Sequence, residues 1–429
     1  MNTQQLKWLA KKLPKRNNKW FAALEQSGLS ASNFFFSLVI IKFAGISELG
    51  AYTFWFVVCQ FIAMLTMGLA TRQMVLEFAD KTSKDQRNGF RATCRVVLAM
   101  QVGLVLVLGA LVRFYPPSDN ALGLWVALGL YSASFNFVEL HRQFYYLTSR
   151  QRQSLWFSGL SLGLGALGFL VFVLIGVIDA PEISAFWFLA FGNLMYVVLA
   201  IRSGWAKRSI GVTESISPWV LCRRYWRYGV PATGGMFVTW MQNQSATPLL
   251  MFMLGPLAVG YYSVARMIVT PVNMVTTGLA KSALPQIRRA LGGGNLSALT
   301  SAVHAHCRTS MRIVYGYVFV VGLGWLVVRF FGIVESGGAL VELFIATVLV
   351  MILSNYRFWI SQNFVVQMQY ITLLRLGIVA SCATVIMMLI GGMVFKSAIW
   401  VVIAPAIGEI ILILTLSQKL KEQMKASAS

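Results

Sequence analysis

Apolar residues run along this chain in long stretches, and the polar residues gather between them. Twelve such stretches fall near 20–43, 50–69, 96–115, 121–141, 154–178, 183–201, 228–254, 257–280, 313–334, 338–360, 371–395 and 397–416. About twenty apolar residues, rising 1.5 Å each as a helix, cross the roughly 30 Å hydrocarbon core of a bilayer. The pattern therefore predicts an all-α, polytopic membrane protein with about 12 transmembrane helices.

The runs repeat. Residues 39–78 placed under 249–288, an offset of 210, bring Gly45 onto Gly255, Gly50 onto Gly260 and Tyr52 onto Tyr262. Further along, MLTMGLA (64–70) meets MVTTGLA (274–280) in register. Both copies enter an even-numbered span from the same side, so the repeat is parallel, about an axis along the membrane normal. Two six-helix bundles follow: an N-terminal one over 1–205 and a C-terminal one over 206–429, with a basic linker between them. Substrate paths in repeat-built transporters lie between such halves, near the bilayer midplane.

Composition agrees. The chain is 57% hydrophobic and 12% charged, with mean hydropathy +0.69, against about 25% charged residues in soluble domains. The net charge of +22 would suggest nucleic acid in a soluble protein. Here it has another cause. Segments 1–19, 70–95, 141–153, 202–227, 281–312, 357–375 and 417–429 hold 31 of the 36 Lys and Arg residues. The positive-inside rule then puts those segments and both termini in the cytoplasm, and no nucleic-acid partner is expected. The basic arm (Lys7, Lys11, Lys12, Lys15, Arg16, Lys19) is expected to lie on anionic lipid headgroups, ahead of an uncleaved first span.

Polar groups at membrane depth are costly, so their helical phase is informative. On the eighth span Tyr262, Arg266, Thr270, Asn273 and Thr277 share one face. Gln26, Ser30, Asn33 and Ser37 do so on the first span, Ser132, Asn136, Glu139 and Gln143 on the fourth, and Thr239, Asn243 and Thr247 on the seventh. The run QNQSATP (242–248), interrupted by Pro248, predicts a locally broken helix beside a watery cavity. Interhelical hydrogen bonding accounts for stripes of Ser and Thr; stripes that also carry Asn, Glu and Arg point to a hydrated interior.

Arg266 lies about 15 Å into its helix. Two readings stand for it. It forms a structural ion pair, with Glu409 or Glu139, or it binds an anionic cargo, since a planar guanidinium can hold two phosphate oxygens and stays charged. Glu409, mid-span after Pro405, is either a proton-coupling group or that counter-ion. Glu139 and Glu25 are expected to snorkel to the cytoplasmic interface, and Arg357 and Arg375 to anchor there. The substrate-path candidates are thus Arg266, Tyr262, Asn273, Asn243, Asn33 and Asn136, with Glu409 and Glu139 as ion-coupling or counter-ion groups.

Other signals are weaker. GLGALG (163–168) matches GxGxxG but sits within a span with no preceding strand; Gly159, Gly163 and Ala166 read as a close-packing face. HAHC (304–307) reads as a solvated cluster in a basic loop and lacks a second ligand pair, so no metal is expected. NLS (295–297) falls on the cytoplasmic side. The five cysteines form no disulfide framework. No phosphate-binding loop or nucleophile–base pair appears, so neither an enzyme nor a cofactor is expected.

Two stretches, SASNFFFSLVIIKFAGISELGAY (30–52) and YGVPATGGMFVTWMQNQSATPLLMFMLGPLAVGYYSVARMIVTPVNMVTTGLAKSALPQI (228–287), resemble the polysaccharide-transporter branch of the multidrug/oligosaccharidyl-lipid/polysaccharide (MOP) exporter superfamily. These are the O-antigen (Wzx-type) and exopolysaccharide flippases. The resemblance implies a bacterial inner-membrane protein that translocates an undecaprenyl-diphosphate-linked oligosaccharide for O-antigen, lipopolysaccharide or exopolysaccharide biosynthesis by alternating access. It also implies a polysaccharide polymerase and a chain-length regulator as partners. The alternatives are a cation-coupled multidrug exporter of the same superfamily, which should show an acidic cation site in its N-terminal half, and a non-transporting subunit of a polysaccharide assembly complex.

Overall fold

The computed structural model describes residues 18–78, 81–114, 121–148, 150–176, 180–203, 217–291, 296–330, 338–367 and 369–428. The basic arm before Asn18, and Lys207 and Arg208 of the linker, lie outside them. Among the described residues there are fourteen α-helices and no strand. The first seven are α1 (Asn18–Phe43), α2 (Ile46–Thr66), α3 (Arg72–Phe78), α4 (Ser83–Phe114), α5 (Ala121–Leu147), α6 (Gln151–Leu174) and α7 (Pro181–Arg202). The others are α8 (Pro218–Gln244), α9 (Ala246–Leu254), α10 (Pro256–Leu291), α11 (Leu296–Phe330), α12 (Gly338–Val366), α13 (Tyr370–Met393) and α14 (Ala398–Ala428). Within the described residues, the twelve expected spans follow these helices, with the second running through a π-turn (Met67–Thr71) into α3 and the seventh made of α8 and α9. Eight helices among the described residues are long and apolar enough to cross a membrane by length and composition. The protein is a polytopic, all-helical membrane protein.

Its helices are apolar on more than one side, as lipid requires. On α4, Val97, Leu108 and Val112 are buried while Leu98, Val102, Leu106 and Leu111 are exposed. Water would make such a surface aggregate. In hydrocarbon it costs nothing, because a helix satisfies its own backbone groups.

Contacts sort the chain into two compact units: Met1–Gly45 with Val58–Thr233, and Ile46–Val57 with Gly234–Ser429. In the first, α1 packs on α6, α4 on α5, and α7 on both α5 and α6. In the second, α9 packs on α13, α11 on α12, and α14 on both α12 and α13. Counted by span, these are the same pairings in the same order, so the repeat legible in the sequence is a repeat of packing.

The matched glycines show why they are glycines. Gly45 has φ 105° and ψ −179°, and Gly255 has φ 83° and ψ −179°. Both turn one helix into the next through a conformation that disfavours any side chain. Gly50 and Gly260 stand where α2 and α10 cross, within the second unit. A Cβ on Gly50 would overlap the carbonyl oxygen of Pro256, and one on Gly260 the carbonyl oxygen of Ile46. Since Ile46 and Pro256 are themselves 210 residues apart, the contact is reciprocal: each helix offers its first carbonyl to the other's glycine.

Two sequence expectations are corrected here. Gly159 and Gly163 face open space, where an added Cβ would meet nothing within 4 Å; the close packing of α6 on α7 is at Gly165 and Gly192, against Phe188 O and Ser161 O. The small-residue face is rotated because Ser154, Ser158 and Ser161 turn inward. HAHC is helical, not a loop, and only its first half, His304 and Ala305, is exposed. It lies on α11, where His306 stacks on Trp359 with centroids 5.9 Å apart and Cys307 joins a buried cluster with Ile287, Leu299 and Val303.

Candidate functional site

Pro248 has no N–H to give the carbonyl four residues back, and the helix breaks there: α8 ends at Gln244, Ser245 forms a turn, and α9 starts at Ala246. The broken helix expected from QNQSATP is present. The break places the Gln244 side chain beside α10, where Arg266 Nη1 donates to Gln244 Oε1 at 2.7 Å. One turn back along α10, the Tyr262 ring lies under the guanidinium, 5.5 Å from centroid to Cζ, within the range of a cation–π contact.

This arrangement has a counterpart in the first copy of the repeat. Tyr52 and Phe56 stack with centroids 5.8 Å apart, at the positions of Tyr262 and Arg266. The aromatic shelf is kept, and the group above it changes from a ring to a cation. The remaining candidates in this unit border the same stretch. Asn243 and Asn273 are exposed, and Thr270 Oγ1 donates to Arg266 O at 2.8 Å. The side chains of Thr277 and, in the first unit, Gln26 lie outside what the structure describes.

Arg266 has no carboxylate within ion-pair distance among the described residues. Glu409, expected as its counter-ion or as a proton carrier, pairs instead with Arg357. Glu409 is 2% exposed on α14, and Arg357, expected at the interface, reaches in from α12. The two helices are packed neighbours.

In the first unit, Asn136 is buried and its amide donates to Ser132 O at 2.8 Å on its own helix. Asn33 is half-buried, and its carbonyl accepts from Ser37 Oγ at 2.9 Å. Glu139 pairs with Arg142, so it too is paired within its own unit. The larger surprise is Glu25. It is 1% exposed, not snorkelling, and saturated with donors. Oε1 accepts from Arg142 Nε at 3.0 Å, Ser154 Oγ at 2.8 Å and Ser158 Oγ; Oε2 accepts from Tyr146 OH at 2.6 Å. Ser154 has one hydroxyl proton and gives it to Glu25, so Tyr196 OH, 2.9 Å away, must donate to Ser154. The sequence signal for this cluster is the inward stripe Ser154, Ser158, Ser161, with steps of four and three along α6.

No known family profile and no characterised relative matches the sequence. Solved structures do match in fold. An inward-facing multidrug resistance MATE family transporter of the MOP superfamily superposes with a TM-score of 0.69 at 15% identity, over 92% of this chain and 95% of that one. The chain is similar in fold to this solved MOP-superfamily transporter. An outward-facing multidrug resistance MATE transporter gives 0.62 at 14% identity over 95% of each chain. A MOP-superfamily transporter from Pyrococcus furiosus, described as having a binding pocket of reversed polarity that suggests a different function, gives 0.63 at 13% identity over 94% of each chain.

Proposed function

We propose that the protein is an alternating-access flippase for an undecaprenyl-diphosphate-linked oligosaccharide in a bacterial inner membrane, with both termini in the cytoplasm. The observation that carries this reading is the state of three arginines inside the helical bundle. Arg142 and Arg357 are each paired with buried carboxylates. Among the described residues, Arg266 is held by a neutral amide and an aromatic face and by no carboxylate. Its positive charge is positioned and not neutralised, as a group that receives an anion must be. A diphosphate, or an acidic sugar, supplies the missing charge.

A multidrug exporter is supported by the MATE structures of the same fold. That reading predicts an unfilled acidic site for a cation, whereas Glu25, Glu139 and Glu409 already hold arginines. The test is restoration of surface glycan in a strain lacking its own copy. Arg266→Ala is expected to abolish surface glycan with the protein still in the membrane, and Arg266→Lys to retain part. Normal glycan from both variants, or drug resistance conferred in place of glycan export, overturns the reading.

A further inference from the structure

The Glu25 cluster is more than a salt bridge. Six oxygens from three helices converge on it: both carboxylate oxygens of Glu25 on α1, Glu139 Oε1 and Tyr146 OH on α5, and Ser154 Oγ and Ser158 Oγ on α6. Three of them, Glu25 Oε1, Glu139 Oε1 and Tyr146 OH, meet one group, the Arg142 guanidinium. Its Nε meets Glu25, its Nη1 meets Glu139, and its Nη2 donates to Tyr146 OH at 3.3 Å. Arg142 is 1% exposed, and water does not reach it.

We propose that Arg142 is a tethered cation: it fills an oxygen cage that, without it, takes a monovalent cation from solution, either a proton or an alkali-metal ion. Convergent oxygens with two carboxylates are the donor set that such ions require, and a buried carboxylate stripped of its partner must recover a positive neighbour or a proton. An arginine cannot leave and does not deprotonate. The cage is therefore permanently loaded, and the packing of α1, α5 and α6 is set without any ion from either side of the membrane. If the protein is a transporter, a coupling ion does not load at this cluster; that corollary rests on the proposed function, whereas the cage itself does not.

The titratable and charged groups facing Glu25 are Glu139, Arg142 and Tyr146 from α5 and, through Ser154, Tyr196 from α7; α6 contributes only the two serines. His141 faces elsewhere, with Nδ1 donating to Phe137 O at 2.8 Å and its ring against Phe90.

The experiment is thermal unfolding of the purified full-length protein in sodium, potassium or choline chloride at equal ionic strength, near about pH 8 and about pH 6. Wild type and Arg142→Lys are expected to unfold at one temperature in all three salts. Arg142→Met is expected to unfold lower in choline chloride at the higher pH. Recovery by several degrees with saturating sodium or potassium identifies an alkali ion as the occupant, and recovery in choline chloride at the lower pH identifies the proton. Adding Glu25→Gln to Arg142→Met should remove either response. The proposal is overturned if Arg142→Met responds to neither alkali ion nor acid. It is also overturned if wild type itself shows a sodium- or potassium-specific, saturable shift that Glu25→Gln abolishes. Should Arg142→Met fail to accumulate, Arg142→Ala carries the same comparison with the same deciding outcomes.

Discussion

Three arginines within the bundle have three fates, and each follows from what stands nearby. Removing one partner of a buried ion pair leaves an uncompensated charge and costs about 3–5 kcal/mol, whereas replacing both with apolar groups is often neutral. Glu409→Gln should therefore lower unfolding stability markedly, and the double change Glu409→Leu with Arg357→Met should recover most of the loss. A double-mutant cycle by chemical denaturation measures the coupling. Cys307 offers a different check. Burial pushes its thiol up to about 11, so its thiolate is scarce at neutral pH. Its alkylation near pH 7.5 should be roughly 10²-fold slower than that of an unhindered thiol and should accelerate with rising pH until about 11. Periodicity in the sequence placed Arg266 and Glu409 inside spans and put Tyr262 beside Arg266. It did not reveal the pairs Arg357–Glu409 and Glu25–Arg142, which join residues 52 and 117 positions apart. Helical phase reports which face a residue occupies; only packing decides what meets that face.

Among the elements, the break between α8 and α9 is the one that shapes the candidate site. Pro248→Ala restores the missing N–H and favours a straight helix, which would draw Gln244 away from Arg266. Pro248→Ala and Gln244→Ala are both expected to reduce surface glycan less than Arg266→Ala does, with protein levels unchanged. The break was legible because proline and a polar run fell in one span. The face of α6 was not, because glycine spacing alone does not say whether a small residue meets a helix or lipid. Alanine scanning separates these cases. Gly50→Ala and Gly260→Ala force a side chain into a backbone carbonyl and should each cost about 1–3 kcal/mol. Gly159→Ala, which meets nothing, should be neutral or stabilising by up to about 1 kcal/mol through helix propensity.

For the whole molecule, the placement of 31 of 36 basic residues on one set of segments predicts the orientation of the chain. A reporter fused after Ser429 should be active only if it folds in the cytoplasm, and an active periplasmic reporter there would reverse the assignment. The all-helical class, the order of the apolar helices and the repeated order of packing could be read from hydropathy and an offset of 210 because lipid allows few solutions for a chain this apolar. The glycine crossing of α2 and α10 carries that repeat into the packing. Each helix gives the other the same atom at the same position, which is the self-complementary contact made by two identical subunits about a two-fold axis. The segment Ile46–Val57 also keeps company with the C-terminal unit although its own helix continues in the other, as an arm exchanged between subunits does. What the two matched helices do not share is the group above the aromatic shelf, where the ring of Phe56 stands at the position that Arg266 fills with a charge.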